Sequence, residues 1–232
     1  MKQISIYADG CGNVKKKKLS DIVKHKNDDI LICPIYVGVC GTDKKIVNLQ
    51  YKGIDYPRIL GHEWVGIVVE SSSERIPKGK LVTGECSIYC KKCRLCIFDY
   101  NSCVNLEKFG ITCDGAMRSV FWFCSEYTHI VPSLEYVWCF VEPMASSLHL
   151  LSQLKINRNV DYRVLIVGAG QMGILSAIAL LEDYDNMKVS ISDTNKEKEE
   201  RVFNLLEHLV PFSQKEKYDI IVDTVGNSES IK

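Results

Sequence analysis

Residues 163–173 read RVLIVGAGQMG, an apolar run rich in β-branched residues that passes into closely spaced glycines. The run predicts a strand, and the apolar residues from Gly173 to Leu181 predict a helix directly after it. Further along, residues 188–193 and 219–223 have the composition of strands, and Lys196–Leu209 has apolar residues at helical spacing. Because strands alternate with helices, this part of the chain is predicted to form an α/β domain with a parallel sheet.

The glycines of this stretch have the spacing of a turn that approaches a dinucleotide. Gly168 would form the tight turn, Gly170 would let the backbone approach a pyrophosphate, and Gly173 would let the helix pack closely on the sheet. The helix N-terminus, with Gln171 and Met172, would present free N–H groups to the phosphates. The order of strand, glycine turn and helix therefore predicts a nucleotide site. A doubly wound domain that binds no nucleotide is the alternative.

Asp193 ends the next predicted strand, 20 residues after Gly173. A carboxylate at this place accepts hydrogen bonds from the adenosine ribose hydroxyls and repels a 2′-phosphate. No arginine follows directly, since the next residues are Thr194, Asn195 and Lys196. The sequence therefore predicts NAD rather than NADP as the cofactor.

The first part of the chain has a different pattern of apolar and polar residues. Short apolar runs such as Ile30–Val37 and Val65–Val69 are broken by Gly, Pro, Asn and Asp, which predicts strands of a β-rich domain. Pro34 would have to lie at an edge or a bulge, because it cannot donate a hydrogen bond within a sheet. We therefore predict a β-rich domain over residues 1–150 and an α/β domain over residues 151–232, with a helix over Leu148–Val160 between them.

The overall charge gives no reason to expect a polyanionic partner. Lys and Arg number 29, as do Asp and Glu, so the net charge is zero, and neither a nucleic acid nor a membrane is predicted as a partner. The basic run Lys15–Lys18 is predicted to be a solvated turn. No apolar stretch is long enough to span a bilayer, and the N-terminus lacks the pattern of a signal peptide, so a cytoplasmic location is expected.

Four of the eleven cysteines form a cluster with the spacing of metal ligands: Cys90, Cys93, Cys96 and Cys103. Four thiolates around zinc make a closed tetrahedral site that leaves no position for a substrate. We therefore predict a structural zinc site, whose metal would supply folding energy to a segment with few large apolar residues. An iron–sulfur cluster is the competing interpretation, because four thiolates also hold such clusters.

A second set of possible ligands consists of Cys40, His62 and Glu63, which offer a thiolate, an imidazole and a carboxylate. Catalytic zinc takes about three protein ligands and keeps one position open, and it lowers the pKa of a coordinated hydroxyl. The alternative is a buried thiol, a structural histidine and a surface carboxylate without a metal.

Several motifs together resemble the zinc-containing medium-chain dehydrogenases, and within them the branch of polyol and sugar dehydrogenases. The motifs are CGTD at Cys40–Asp43, GHEWVG at Gly61–Gly66, the cysteine cluster, VEP at Val141–Pro143 and the glycine turn after Val167. They extend from about residue 30 to residue 226. The resemblance implies a GroES-like catalytic domain followed by a Rossmann domain, with one catalytic and one structural Zn²⁺ and with NAD.

The resemblance also implies roles for individual residues. Cys40 and His62 would hold the catalytic zinc, Glu63 would be a third ligand, and Glu142 an exchangeable or outer ligand. The carboxylates in place of a second cysteine resemble the polyol branch, and oxygen donors suit an exchangeable, hydrated zinc.

Thr42 would pass the substrate's hydroxyl proton towards solvent, and Asp43 would orient the histidine that binds the metal. The implied function is transfer of a hydride between NAD(H) and a secondary alcohol or ketone of a polyol, sugar or sugar phosphate. A homo-oligomer is also implied. The alternative is a catalytically inactive scaffold, or a fragment of such an enzyme, that binds zinc and nucleotide.

The sequence departs from the family in two ways. The last loop of the cysteine cluster, Ile97–Ser102, is one residue shorter than is usual. The chain also stops at Lys232, after four predicted strands, the third of which lies near Leu209–Phe212. We therefore expect an incomplete Rossmann domain, in a fragment, a truncated product or a chain completed by a partner, and reduced or absent activity of this polypeptide by itself.

Overall fold

The computed structural model describes residues 4–18, 22–25 and 29–226. The chain divides into two compact units, Met1–Glu142 and Pro143–Lys232. The boundary predicted after residue 150 falls somewhat later than this division and stays a prediction. Within the described ranges, none of the helices has the length and apolar character that crossing a membrane requires.

The first unit consists mainly of strands. It contains β1 (Ile4–Ala8), β2 (Val14–Lys18), β3 (Ile30–Val37), α1 (Gly41–Val47), β4 (Arg58–Ile59), β5 (Trp64–Ser71), β6 (Leu81–Gly84), β7 (Ser87–Ile88), β8 (Glu107–Lys108), β9 (Phe121–Phe123) and β10 (Thr128–Ile130). Short 3-10 helices cover Arg94–Ile97, Tyr100–Ser102, Ser125–Tyr127 and Tyr136–Phe140. The predicted β-rich character is confirmed.

An antiparallel five-stranded sheet in the order β10-β6-β5-β3-β9 carries the main core of this unit. Trp64 begins β5 and is surrounded by the rings of Phe109, Phe121 and Phe123, at centroid distances of 6.4, 5.1 and 5.7 Å. Such aromatic packing favours association of strands that are remote in sequence, because each ring buries a large apolar area.

Two details of the strands test the sequence predictions. The pairing of β3 with β5 shifts register between Pro34 and Tyr36, so the predicted irregularity at Pro34 is confirmed. The prediction of a turn over Lys15–Lys18 is wrong, because these residues belong to β2 and pair with β1 along its whole length. The lysines are exposed, as predicted, because β2 lies at the edge of its sheet, in the order β2-β1-β4.

The second unit is built from alternating strands and helices. After α2 (Val141–Ser152), which spans the division, follow β11 (Tyr162–Val167), α3 (Gln171–Asp183), β12 (Met187–Ser192), α4 (Lys196–Leu205) and β13 (Ile220–Asp223). The strands form a parallel sheet in the order β12-β11-β13, which confirms the predicted α/β class. Its core includes Val164, Ile166 and Leu180, which are fully buried.

Three predicted elements of this unit need correction. The helix predicted over residues 148–160 is α2, which covers Val141–Ser152 and so begins and ends earlier than predicted. Pro143 lies in its first turn, where no intrahelical N–H bond is lost. The helix α4 ends at Leu205 rather than at Leu209. Residues 209–212 form no strand. Only Val210 bonds to β12, through the carbonyl of Val189 at 2.8 Å, and the next residue is a proline without an N–H.

Candidate metal and nucleotide sites

The four cysteines of the predicted structural site come together in space. The Sγ atoms of Cys90, Cys93, Cys96 and Cys103 all lie within 4.8 Å of one another. The Sγ atom of Cys96 lies 3.4 Å from that of Cys93 and 3.9 Å from that of Cys90. Four sulfurs at about 2.3 Å from a zinc ion in a tetrahedron would be about 3.8 Å apart, so the observed spacing fits a metal of this size.

The thiols of this cluster differ in their tendency to ionise. Backbone N–H groups, that of Lys92 first, lower the pKa of Cys90 to about 6. Burial raises the pKa of Cys96 to about 12. A metal held by all four sulfurs as thiolates would have to displace the proton that Cys96 retains, so binding here would depend on pH.

Cys40, His62 and Glu63 are also brought together. Cys40 is the residue directly before α1, and the other two directly precede β5. One ligand atom from each lies within 4.8 Å of the others, and the two residues before β5 are buried, at 4% and 2% exposure. The donor set, one soft sulfur with nitrogen and oxygen, suits zinc.

The carboxylate of Asp43 links the two segments that carry these ligands. Its Oδ2 accepts a hydrogen bond from the backbone N–H of Cys40 at 2.8 Å, and its Oδ1 accepts one from that of Gly61 at 3.2 Å. The Nδ1 atom of His62 lies 3.9 Å from Oδ1, beyond hydrogen-bonding distance. Thr42 lies beside the ligands, with its Oγ1 atom 3.9 Å from the Sγ atom of Cys40.

The electrostatics of this region also fit a bound cation. Burial raises the pKa of Cys40, and the charge of Glu63 raises it further. Glu142, in the first turn of α2, has a pKa raised by burial and by Glu63, while His62 opposes the shift. Several anionic donors thus converge where water is scarce, and a divalent ion would stabilise their charged forms. Glu142 lies within electrostatic reach but outside the group of three close ligands.

Two neighbours of this site were not foreseen from the sequence. A Cβ atom on Gly38 would lie 2.8 Å from Oε2 of Glu63, so the absence of a side chain makes room for that carboxylate. Lys108 is a half-buried cation that favours ionisation of both Glu142 and Cys86. Neither residue belongs to a local motif. Gly38 lies two residues before Cys40 along the chain, whereas Lys108 is brought here by the packing of distant segments.

The glycine turn of the second unit has the predicted arrangement of strand, turn and helix. Gly168 has a φ of +105° and donates a backbone hydrogen bond to Ser192 at 2.7 Å. A Cβ atom on Gly173 would lie 1.9 Å from the carbonyl oxygen of Gly168, whereas one on Gly170 would meet nothing within 4 Å. The turn is therefore tight on the side of the helix and open where a phosphate would approach, just before Gln171 and Met172 begin α3.

Asp193 lies at the carboxyl end of β12, beside this turn. Its Oδ2 accepts a hydrogen bond from the backbone N–H of Ala169 and its Oδ1 one from Asn195, both at 2.8 Å. Although partial burial opposes ionisation, these N–H groups hold the pKa of Asp193 below its usual range. The side chain is therefore a charged and oriented carboxylate at the edge of the turn.

Comparison with known proteins agrees with this arrangement. Residues 26–133 match the family model of the alcohol dehydrogenase GroES-like domain. The chain is 29% identical to a D-arabitol-phosphate dehydrogenase of Enterococcus avium, over 97% of this chain and 62% of the relative. It is 31% identical to an L-threonine 3-dehydrogenase of Streptomyces avermitilis, over 73% of this chain and 51% of the relative.

A solved structure resembles the whole chain. It is a protein of Sinorhizobium meliloti described as a zinc-binding dehydrogenase and bound to NADP, with a TM-score of 0.87 and 24% identity, covering 100% of this chain and 72% of the other. The predicted fold class, a GroES-like domain followed by a Rossmann domain, is thereby confirmed. The chain spans about half to three fifths of the length of the curated relatives it matches.

Proposed function

Because the chain belongs to the family of zinc-type alcohol and polyol dehydrogenases, we propose that it serves hydride transfer between NAD(H) and a secondary alcohol or ketone. The observation that carries the proposal is the convergence of Cys40, His62 and Glu63 within 4.8 Å in the first unit. The second unit separately offers an open glycine turn, which suits a dinucleotide.

The residues of the first site have distinct roles in this proposal. Cys40, His62 and Glu63 would hold a zinc ion, and Glu142 would be an exchangeable or outer ligand. A zinc ion held there would act as a Lewis acid and make an alcohol hydroxyl more acidic. The second cluster, at Cys90–Cys103, would hold a structural zinc.

Proton transfer is assigned to Thr42, whose hydroxyl lies beside the thiol of Cys40. In the oxidation, Thr42 would accept the proton of the substrate hydroxyl and pass a proton on towards solvent. Bound NAD would supply the acceptor for the hydride of the carbinol carbon, so the alcohol would become a ketone. Asp43 keeps the two ligand-bearing segments in place through its bonds to Cys40 and Gly61.

In the second unit, Gly168, Gly170 and Gly173 with Gln171 and Met172 would bind the pyrophosphate of the cofactor, and Asp193 would accept hydrogen bonds from its ribose hydroxyls. We assign a preference for NAD, because the charged carboxylate of Asp193 would repel a 2′-phosphate. The NADP in the solved relative belongs to that protein and leaves the preference to be measured.

The proposed substrates are polyols, sugars or sugar phosphates. Support comes from the relative named as a D-arabitol-phosphate dehydrogenase, which matches 97% of this chain. The protein is proposed to act in the cytoplasm, where its eleven free cysteines would stay reduced. A homo-oligomer is proposed as its assembly, with neither nucleic acid nor membrane as a partner.

Zinc content tests the metal sites directly. The purified chain should contain two zinc ions, one for each cluster, by elemental analysis. Cys40→Ala should reduce the content to one, because the remaining two ligands hold zinc weakly. Cys11→Ala, which removes an exposed thiol outside both clusters, is the matched control and should leave the content at two. One zinc in the wild type, unchanged by Cys40→Ala, would contradict the catalytic site.

Hydride transfer is measured separately, as alcohol-dependent formation of NADH over a panel of polyols and sugar phosphates. Activity that is lost in Cys40→Ala supports the dehydrogenase. If the chain contains two zinc ions and binds nucleotide but shows no turnover, the catalytically inactive scaffold is indicated instead.

A further inference from the structure

Glu199, in the first turn of α4, turns its carboxylate back towards the end of β12. Its Oε2 atom accepts a hydrogen bond from the backbone N–H of Asp193 at 2.9 Å and lies 3.4 Å from the hydroxyl of Ser192. The same oxygen accepts a bond from the ammonium of Lys196 at 2.8 Å. A second carboxylate is thus bonded to the very residue that the proposed function assigns to the ribose.

Two carboxylates and two lysines lie close together at the end of β12. Asp193 is itself bonded to the backbone N–H groups of Ala169 and Asn195 and is stabilised as an anion by Lys198 and Lys196. The side chain of Glu199 is 21% exposed, whereas that of Lys196 is 71% exposed. The exposed ammonium of Lys196, which could reach a ligand, therefore already has an anionic partner within the protein.

We propose that Glu199 is a second specificity-determining residue for the cofactor, which excludes a 2′-phosphate by engaging Lys196 and by adding a negative charge next to Asp193. The inference rests on the proposed function, since it concerns the same nucleotide site. It goes beyond the proposed function because it assigns selectivity between NAD and NADP to Glu199. This residue lies on α4, outside the glycine turn, and is distinct from Asp193.

The physical reason lies in what a 2′-phosphate needs. A phosphate monoester carries a charge of about −1.5 to −2 at neutral pH and is bound through cationic donors. At this corner Lys196 and Lys198 are exposed ammonium groups, and Glu199 competes for Lys196. Replacing Asp193 alone would leave this competition in place, so loss of that carboxylate would weaken ribose binding without creating a phosphate site.

The test uses the whole chain and two ligands that lack nicotinamide, ADP-ribose and ADP-ribose 2′-phosphate, with affinities measured by calorimetry. Glu199→Gln keeps an oxygen that can accept the bond from Asp193 but loses the charge. We expect the affinity ratio to shift towards the 2′-phosphate by roughly tenfold, because one repulsive charge disappears and Lys196 is released. Affinity for ADP-ribose itself should change little.

Two further variants separate this role from a general charge effect. Glu197→Gln removes an equal charge from the same helical turn, where the side chain is exposed, and should leave the ratio close to that of the wild type. Adding Lys196→Gln to Glu199→Gln should reduce the gain markedly, because the released ammonium is then absent and only the loss of the Glu199 charge remains.

A ratio in Glu199→Gln equal to that in Glu197→Gln would overturn the inference. If Glu199→Gln does not fold, Lys196→Gln decides in the otherwise intact chain, since this exposed position tolerates the change. If Lys196→Gln leaves the ratio of the affinities for the two ligands unchanged, Lys196 is engaged by Glu199 in the wild type, as inferred. A clear loss of affinity for ADP-ribose 2′-phosphate in Lys196→Gln would overturn the inference. Failure of the wild type to bind either ligand is a different result, which contradicts the nucleotide site of the proposed function.

Discussion

The carboxylate of Asp43 lies 3.9 Å from the Nδ1 atom of His62 and bonds instead to the backbone of the two segments that carry the metal ligands. Asp43 is 2% exposed. Its oxygens accept hydrogen bonds from Cys40 and Gly61, so a single buried group sets the distance between the loop before α1 and the loop before β5. The predicted orientation of the metal-binding histidine by Asp43 stays a prediction.

Asp43→Asn should weaken zinc binding at Cys40, His62 and Glu63. An amide can accept only one of the two backbone hydrogen bonds, and its NH₂ group would face the other N–H. We expect roughly 10- to 100-fold lower zinc affinity at this site, as is typical when a supporting group is lost, and a less stable first unit. Competition with a chromogenic chelator measures the affinity. Equal affinity in the variant and the wild type would contradict this role of Asp43.

The glycine turn offers a pair of matched substitutions. Gly173→Ala should lower the free energy of unfolding of the second unit by at least about 3 kcal/mol, because the new Cβ would lie 1.9 Å from the carbonyl oxygen of Gly168. Gly170→Ala meets nothing within 4 Å and has a φ of −89°, which alanine adopts easily. It should change stability by less than about 1 kcal/mol.

Although Gly170→Ala should change stability little, it should weaken nucleotide binding. Its methyl group would occupy the space in which a pyrophosphate approaches the backbone, so NADH affinity should fall while the fold is retained. Urea unfolding followed by circular dichroism, together with NADH titration, measures both quantities. A Gly170→Ala variant that binds NADH as well as the wild type would argue against a phosphate at this turn.

The cysteine cluster is predicted to lose its metal when one ligand is removed. Cys93→Ser should lower the zinc content by one ion per chain and unfold the segment around the cluster, because metal binding supplies its folding energy. Zinc at Cys40 should remain, which Cys40→Ala in the same background would show. Cys33→Ser, a half-buried thiol outside both clusters, is the control. Zinc content unaffected by Cys93→Ser would rule out this assignment.

The pKa of Asp193 leads to a prediction for acid stability. This pKa lies below the ordinary value in the folded protein, so the carboxylate contributes stability that is fully present above the unfolded pKa of about 3.9 and is lost as the pH falls through the folded pKa. Asp193→Asn should therefore be less stable than the wild type at pH 7. The difference should shrink below about pH 4. Denaturant unfolding at both pH values measures it, and a difference independent of pH would contradict the prediction.

Local patterns predicted those elements whose formation depends on neighbours along the chain. The apolar run before Gly168 and the glycines after it were sufficient for the order of β11, turn and α3. Patterns were less informative where a single residue changes the outcome. Pro143 fits inside a first helical turn, so α2 begins earlier than predicted, and Pro211 prevents a strand at residues 209–212.

The sequence by itself thus determined the class of each half, the thiolate cluster with its short spacing, and the identity of the candidate ligands. Tertiary structure alone decided that Cys40 meets His62 and Glu63, that Asp43 joins their segments, and that Glu199 reaches Asp193. The reason is physical. Backbone conformation follows from local sterics and hydrophobic spacing, whereas the convergence of side chains depends on packing between elements far apart in the chain.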